Sequence, residues 1–296
     1  MTGTSLTDPF SNPSSPDTPA KARDFPGRFR EIISDPLNLF IERAPTAGVV
    51  EDGMVTLHNG LKVPITGKQS YYGDFSQILV INRGVHEPLE EFVFQEMLRV
   101  LPKRPVMLEL GAYWGHYSMW LKTVRPKART ILVEPSWEGL RAGQLNYERN
   151  GMEGEFVQAK VGRGELEVDA FLEERGLGRL DVLHCDIQGF EVEMLEGAEG
   201  FLSRHGADYI FVSTHSQVLH QGVRDGLTRH GYRVEASSDF AYESTAFDGL
   251  VFATSPSVPP LLPDFQALGR EEIVHSRAGA LVAYVKALSA SRKLKS

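Results

Sequence analysis

Between residues 105 and 254, short unbroken apolar runs alternate with segments of helical character, and this alternation most narrows the fold. The runs are VMLEL (106–110), TILVE (130–134), EFVQA (155–159), DVLHCDI (181–187), YIFVST (209–214), YRVEA (232–236) and GLVFAT (249–254). Helical stretches at 115–124, 136–149, 168–175, 189–204 and 217–230 separate all but the last two. A strand whose apolar residues do not alternate with polar ones is covered on both faces, as in a parallel sheet wrapped by helices. No helix separates the last two runs, so one of them is expected to be antiparallel. The predicted architecture is a doubly wound, Rossmann-like α/β fold: a mostly parallel seven-stranded sheet with an antiparallel final strand.

The flanks read differently. Residues 1–22, rich in Pro, Ser, Thr and Asp, lack the basic and apolar regions of a signal peptide and are expected to be a disordered leader. An extension follows over 23–104. FREIISDPLNLFIERA is predicted helical with an interruption at Pro36. MVTLHNGLKVPI is predicted to be a hairpin around Asn59-Gly60, the pair a type I′ turn prefers. In EPLEEFVFQEMLRVL the apolar residues Leu89, Phe92, Val93, Met97, Leu98 and Leu101 recur at helical spacing. After the central region, 255–296 holds a proline-rich link and a C-terminal helix. That helix places Ile273, Val274, Ala278, Leu281, Val282, Val285 and Leu288 on one face, for packing on its own domain or for a homodimer.

Charge and cysteine usage exclude some classes. The net charge of -8 gives no basic field for nucleic acid or an anionic membrane. No run is apolar and long enough to span a bilayer. The one cysteine, Cys185, cannot form an internal disulfide and lies in an apolar run, so a buried thiol in a reducing, cytoplasmic setting is expected.

In an open α/β sheet, ligands bind beyond the C-terminal ends of the strands, so the residues at those ends carry the functional reading. The first strand ends at Glu109-Leu110, and Gly111-Ala112-Tyr113-Trp114-Gly115 leads into a helix. The dinucleotide fingerprint G-x-G-x-x-G is absent, because Tyr113 stands at its second glycine, and the G-K-[ST] of a phosphate loop is absent too. An acid at the strand end suits an ammonium group better than a phosphate. S-adenosylmethionine carries an ammonium, a carboxylate and a sulfonium, and no phosphate. The second strand ends in ILVEPS, where Glu134 can accept from both ribose hydroxyls and Pro135-Ser136 turn into the next helix with Ser136 as its cap. By position, Gln158 and Ala159, at the end of the third strand, are expected along the adenine ring.

DVLHCDIQGFEVEMLEGA (181–198) resembles the signature of the FkbM-type methyltransferases: an apolar strand, K-I-D-V-E/Q-G-x-E, and a helix ending L-x-G-A. Asp186, Gly189, Glu191, Leu195, Gly197 and Ala198 match it, while His184 and Gln188 depart from it. LELGAYWGHYS resembles the family's D-x-G-A-N-x-G-x-x-S, with Glu109 for Asp, Tyr113 for Asn, and Ser118 at the closing serine. ILVEPS resembles its V-E-P, EVDAFLEE its linker helix, and GVHEPLEEFVFQEML its lead-in. The resemblance covers about 84 to 254. It implies a class I S-adenosylmethionine fold and O-methylation, often of sugars or other natural-product hydroxyls.

O-methylation requires removal of the acceptor proton by a base or a metal ion. Asp186, ending the fourth strand, is expected to bind the cofactor amine or orient the acceptor. His215, ending the fifth, is expected to be the general base. A divalent metal held by Asp186 and His215, with Gln188 or Asp248, is an alternative, but no short-spaced metal motif points to it and none is expected. His220 is expected to be structural. The aromatics of QSYYGDFSQ (69–77) are expected either to cover the acceptor or to anchor the extension. The partner is then a small-molecule or glycan acceptor. Two other readings stand beside this one: a nucleotide-cofactor oxidoreductase, and a non-catalytic scaffold that binds S-adenosylmethionine.

Overall fold

The computed structural model describes residues 25–293 except Tyr72, so the expected leader, Tyr72 and the side chain of Asp74 lie outside the described residues. A three-stranded antiparallel sheet comprises β1 (Val50–Glu51), β2 (Met54–Thr56) and β3 (Lys62–Pro64). The main sheet comprises β4 (Val106–Leu110), β5 (Arg129–Val133), β6 (Glu155–Val157), β7 (Leu180–Cys185), β8 (Ala207–Thr214), β9 (Arg233–Ser238) and β10 (Gly249–Thr254). Its order is β6-β5-β4-β7-β8-β10-β9, and β10 runs antiparallel to both neighbours. The predicted sheet is therefore present. Its antiparallel member is the last in sequence, inserted one place in from the edge.

Helices α1 (Phe25–Ser34), α2 (Gln77–Ile81), α3 (Pro88–Val100), α4 (His116–Val124), α5 (Trp137–Arg149), α6 (Val168–Glu174), α7 (Glu191–Glu196), α8 (Glu199–Ser203), α9 (Gln217–Arg229), α10 (Arg270–His275) and α11 (Ala278–Lys293) surround the sheets. At Pro36 the first helical segment gives way to a short 3-10 turn capped by the Asp35 side chain, as proline at N1 allows. The strands that expose no polar face are those with helices on both sides. Phe171, Met194, Phe201 and Leu227 pack on one face, and Phe92, Phe94, Tyr117 and Trp120 on the other. Each such ring or branched chain contributes roughly 1.5–3 kcal/mol when fully buried.

Three local expectations are corrected. The Asn59-Gly60 turn is not type I′, since only Gly60 has positive φ (88°). Gly60 N–H donates to Leu57 O and Leu57 N–H to Leu61 O, so the hairpin closes with a three-residue loop and glycine in the left-handed position. The single helix expected over 189–204 is two. Asp169 at the start of α6 accepts from the N–H groups of Gly200 and Phe201 (2.7 Å each), while its own N–H donates to Gly197 O. These bonds satisfy a second helix start and hold the break open. The C-terminal helix is likewise two, parted at Ser276, whose backbone is extended (ψ 141°). Ile273 is buried in α10, whereas Val282 on α11 is half exposed. No helix among the described residues is long and apolar enough to cross a membrane.

Candidate functional site

Strand alternation assembles the floor of the site. On β4, Leu108 and Leu110 face one side while Glu109 faces the other; on β7, Leu183 and Cys185 face one side while His184 faces the other. The parallel register pairs Glu109 with His184 and His184 with Phe211. Both polar side chains are therefore buried on the face that α3 and α4 cover.

Above them the glycine turn is fixed by close contacts. Gly111 has φ 77°, and a Cβ there would stand 1.7 Å from Asp186 O. The close approach of the two strand ends therefore admits glycine alone. Gly115, also at φ 77°, caps α4, and a Cβ would press on Tyr147 and Leu132. Tyr113 occupies the left-handed region too (φ 40°), a strained place for an aromatic residue. Its N–H donates to Glu134 Oε2 (3.1 Å) and its hydroxyl to Ser70 O (2.7 Å), which ties the turn to the extension.

Two cavities open at this edge of the sheet, and Gly111, Tyr113, Asp186 and Gln188 line both. The smaller, about 510 Å³, is bounded by Glu134, Pro135, Ser136, Lys160, Val161 and Phe190. Glu134 Oε1 accepts from Ser136 N–H (2.9 Å), and Ser136 Oγ in turn accepts from Gly139 N–H to cap α5. Each Glu134 oxygen thus accepts one backbone hydrogen bond and keeps a further lone pair for a ligand. Burial raises its pKa, partly offset by those hydrogen bonds. A side chain at Gly139 would meet the Glu134 carboxylate at 2.9 Å, so the glycine leaves room for it.

The larger cavity, about 560 Å³, has aromatic walls that include Tyr71, Phe75, Trp114, Phe240 and Phe247, and acidic groups at Glu87, Glu109, Asp186 and Asp248. Among the described residues no Lys or Arg lines it. Tyr71 and Phe75 are buried, with Phe75 edge-on to Phe247 (4.0 Å between centroids), so these aromatics of the 69–77 segment both anchor it and face the cavity.

His215 sits inside an acidic cluster. Its Nδ1 meets Glu191 Oε1 at 2.7 Å, and its Nε2 lies 3.2 Å from Asp186 Oδ1 and 3.4 Å from Asp248 Oδ1. Burial disfavours its charge, but Asp248, Asp186 and Glu191 outweigh this and push the imidazole up to about 11. These contacts favour the cationic imidazole at neutral pH, where the sequence led to the expectation of a near-neutral base. Burial pushes Asp248 up to about 7 against the pull of His215, so the group tuned near neutrality is the carboxylate. Asp186, opposed by burial but held by His215, lies below the usual range. Donor atoms of Asp186, His215 and Asp248 lie within 4.8 Å of one another and could hold a divalent ion. The side-chain amide of Gln188 lies against both Asp186 Oδ1 (3.1 Å) and His215 Nε2 (2.7 Å), and its backbone is left-handed (φ 55°).

Other sequence-selected residues fall outside the cavities. Ser118 is fully buried, and its N–H donates to Glu109 Oε2 (3.2 Å), so it positions the acid from behind. Gln158 is exposed and donates to Pro135 O, and Ala159 packs on the core. Lys160 and Val161 line the smaller cavity in their stead, because β6 ends at Val157 and the chain turns before it reaches the cleft. His220 bridges Thr214 and Ser237 and is structural. Sequence reading passed over Glu87, Glu90 and Glu91. Glu90 accepts from His184 Nε2 (2.6 Å) and Ser213 Oγ, and Tyr117 donates to Glu87 (2.7 Å). Burial, with Glu90 and Asp186 nearby, pushes the Glu87 carboxyl well above the usual range. The available signal was an acid pair inside an otherwise apolar helical stripe.

A family model described as the methyltransferase FkbM domain matches residues 84–234, just over half of the chain. Comparison with curated proteins finds no match. Among solved structures the chain is similar to precorrin-6y C5,15-methyltransferase from Geobacter metallireducens, at 16% identity, 55% of this chain, 85% of that chain and a TM-score of 0.41. It is also similar to Aeropyrum pernix fibrillarin with bound S-adenosyl-L-methionine, at 16% identity, 52% and 69% coverage and a TM-score of 0.39. A third is an Aquifex aeolicus SAM dependent methyltransferase, at 14% identity, 54% and 88% coverage and a TM-score of 0.38.

Proposed function

The chain belongs to the FkbM methyltransferase family, and from that premise we propose that it moves the methyl group of S-adenosylmethionine to a hydroxyl of an uncharged sugar or sugar-like metabolite. Membership sets the oxidoreductase alternative aside. The observation that carries the reading is the pair of adjoining cavities with a buried carboxylate in each, Glu134 in the smaller and Glu109 in the larger. The donor set fits the cofactor: Glu134 for the ribose hydroxyls, Val161 and Phe190 for an apolar ring, and Glu109 for an ammonium. The aromatic walls, and the acids Glu109, Asp186 and Asp248 that outnumber the cationic His215 with no Lys or Arg around the larger cavity among the described residues, favour a neutral acceptor over a phosphorylated or carboxylated one.

When bound, S-adenosylmethionine supplies an electrophilic methyl group on a sulfonium. The chain supplies position and proton removal. Asp248 takes the hydroxyl proton, because a base is most effective with a pKa near the working pH. His215 holds Asp248 and Asp186 in place as a cation, with Glu191 fixing its far nitrogen. Tyr71, Phe75 and Trp114 exclude water from the acceptor face. A transfer assay with labelled cofactor should show turnover on neutral sugars or glycosides and far less on their phosphates. Turnover confined to phosphorylated or carboxylated acceptors would refute the acceptor class.

A further inference from the structure

We propose that His58, Glu91 and His116 form a second site for a divalent transition-metal ion, set into the wall of the larger cavity, which His116 lines. The residues come from three segments: His58 from the hairpin loop between β2 and β3, Glu91 from α3, and His116 from the first position of α4. One donor atom of each lies within 4.8 Å of the others, and His58 Nε2 is 3.1 Å from Glu91 Oε2. All three are at most 2% exposed.

His116 carries the argument. Neither of its ring nitrogens has a hydrogen-bond partner among the described residues. The ring is held flat on Trp114 (5.1 Å between centroids, 11°) and edge-on to His58 and His86. Buried nitrogens with no partner are uncommon, and an ion is one of the few things that accounts for them. Glu91 is already oriented. Its Oε1 accepts from the backbone N–H groups of His86 and Glu87 and lies 2.6 Å from His86 Nδ1, which leaves Oε2 toward His58. A carboxylate held by such outer contacts and two imidazoles form a donor set suited to zinc and its first-row neighbours. Arg43, whose charge reaches this cluster, donates its hydrogen bonds elsewhere, to Asn38 and Ile41. The ion would join the hairpin of the extension to the start of α4, and so brace the glycine turn. This inference stands whether or not the cofactor reading does.

The test is metal analysis and calorimetry on the full chain, stripped and then dialysed against Zn²⁺. The expected result is about one tightly held equivalent, weakened more than about tenfold by His116→Phe and by Glu91→Gln and retained by Asp248→Asn. His116→Phe keeps a ring against Trp114, and circular dichroism confirms that each variant is folded. With Co²⁺ as the probe, the wild type should show visible ligand-field absorption that His116→Phe lacks. A folded wild type that binds no Zn²⁺ overturns the proposal. So does binding equal in all variants, or binding lost only in Asp248→Asn.

Discussion

Asp248 Oδ1 lies 3.4 Å from His215 Nε2, although residue 248 immediately precedes a strand and residue 215 follows the end of one. The antiparallel course of β10 explains it. The start of β10 lies at the sheet edge where β7 and β8 end, and its first residue, Gly249, pairs with Thr214. The carboxylate therefore meets the imidazole across a strand pair, and the two settle as a cation and an acid with pKa about 7.

The pH profile follows from that pair. Asp248 must be ionised to accept a proton, so kcat/KM is expected to rise with pH up to a midpoint near 7 and to fall below it. Asp248→Asn should lower kcat/KM by roughly 10²- to 10⁴-fold and remove the rising limb. An unchanged limb in that variant assigns the midpoint to another group.

Glu87 should behave differently despite lining the same cavity. Burial and the nearby Glu90 and Asp186 push its carboxyl well above the usual range toward the neutral form, and it accepts from Tyr117, both of which an amide reproduces. Glu87→Gln is expected to keep kcat within about threefold, a change of under ~1 kcal/mol in the barrier. A loss comparable to that of Asp248→Asn would mean that Glu87 is ionised during turnover.

His215 is expected to couple stability to pH. Its folded pKa, about 11, lies above the ordinary 6.5, so its contribution is complete below about 6.5 and is lost as pH rises through 11. Between pH 7 and 10 the wild type should lose up to about 1.4 kcal/mol per pH unit from this group, and His215→Gln should lose less. Denaturant melts across that range decide it, and equal slopes for the two proteins contradict the assignment.

Much of this was visible in the sequence where burial on both faces leaves a direct mark. VMLEL and GLVFAT could only be covered strands, and Glu109 and Glu134 stood at strand ends beside turn residues. Gln158 and Ala159 fall outside the smaller cavity because β6 stops at Val157, a length set by how the chain turns and not by the apolar run EFVQA. The α7–α8 break depends on Asp169, some thirty residues away (31 to Gly200), so no local pattern announces it. Helical spacing selects Phe92 and Met97 but passes over Glu90 and Glu91, whose burial depends on His184 and His58 arriving from other segments. His215 was found, but its charge was not, because three acids from separate elements set it.

Glu134 is proposed to hold the ribose of S-adenosylmethionine through the lone pairs its backbone contacts leave open. Calorimetric titration of S-adenosylmethionine into the wild type and Glu134→Ala tests it most directly. Saturable one-site binding by the wild type, with affinity lowered roughly 100-fold in the folded variant, is the predicted result, about what the loss of two charge-assisted hydrogen bonds implies. Equal affinity in the two proteins, or no binding by the folded wild type, would contradict it.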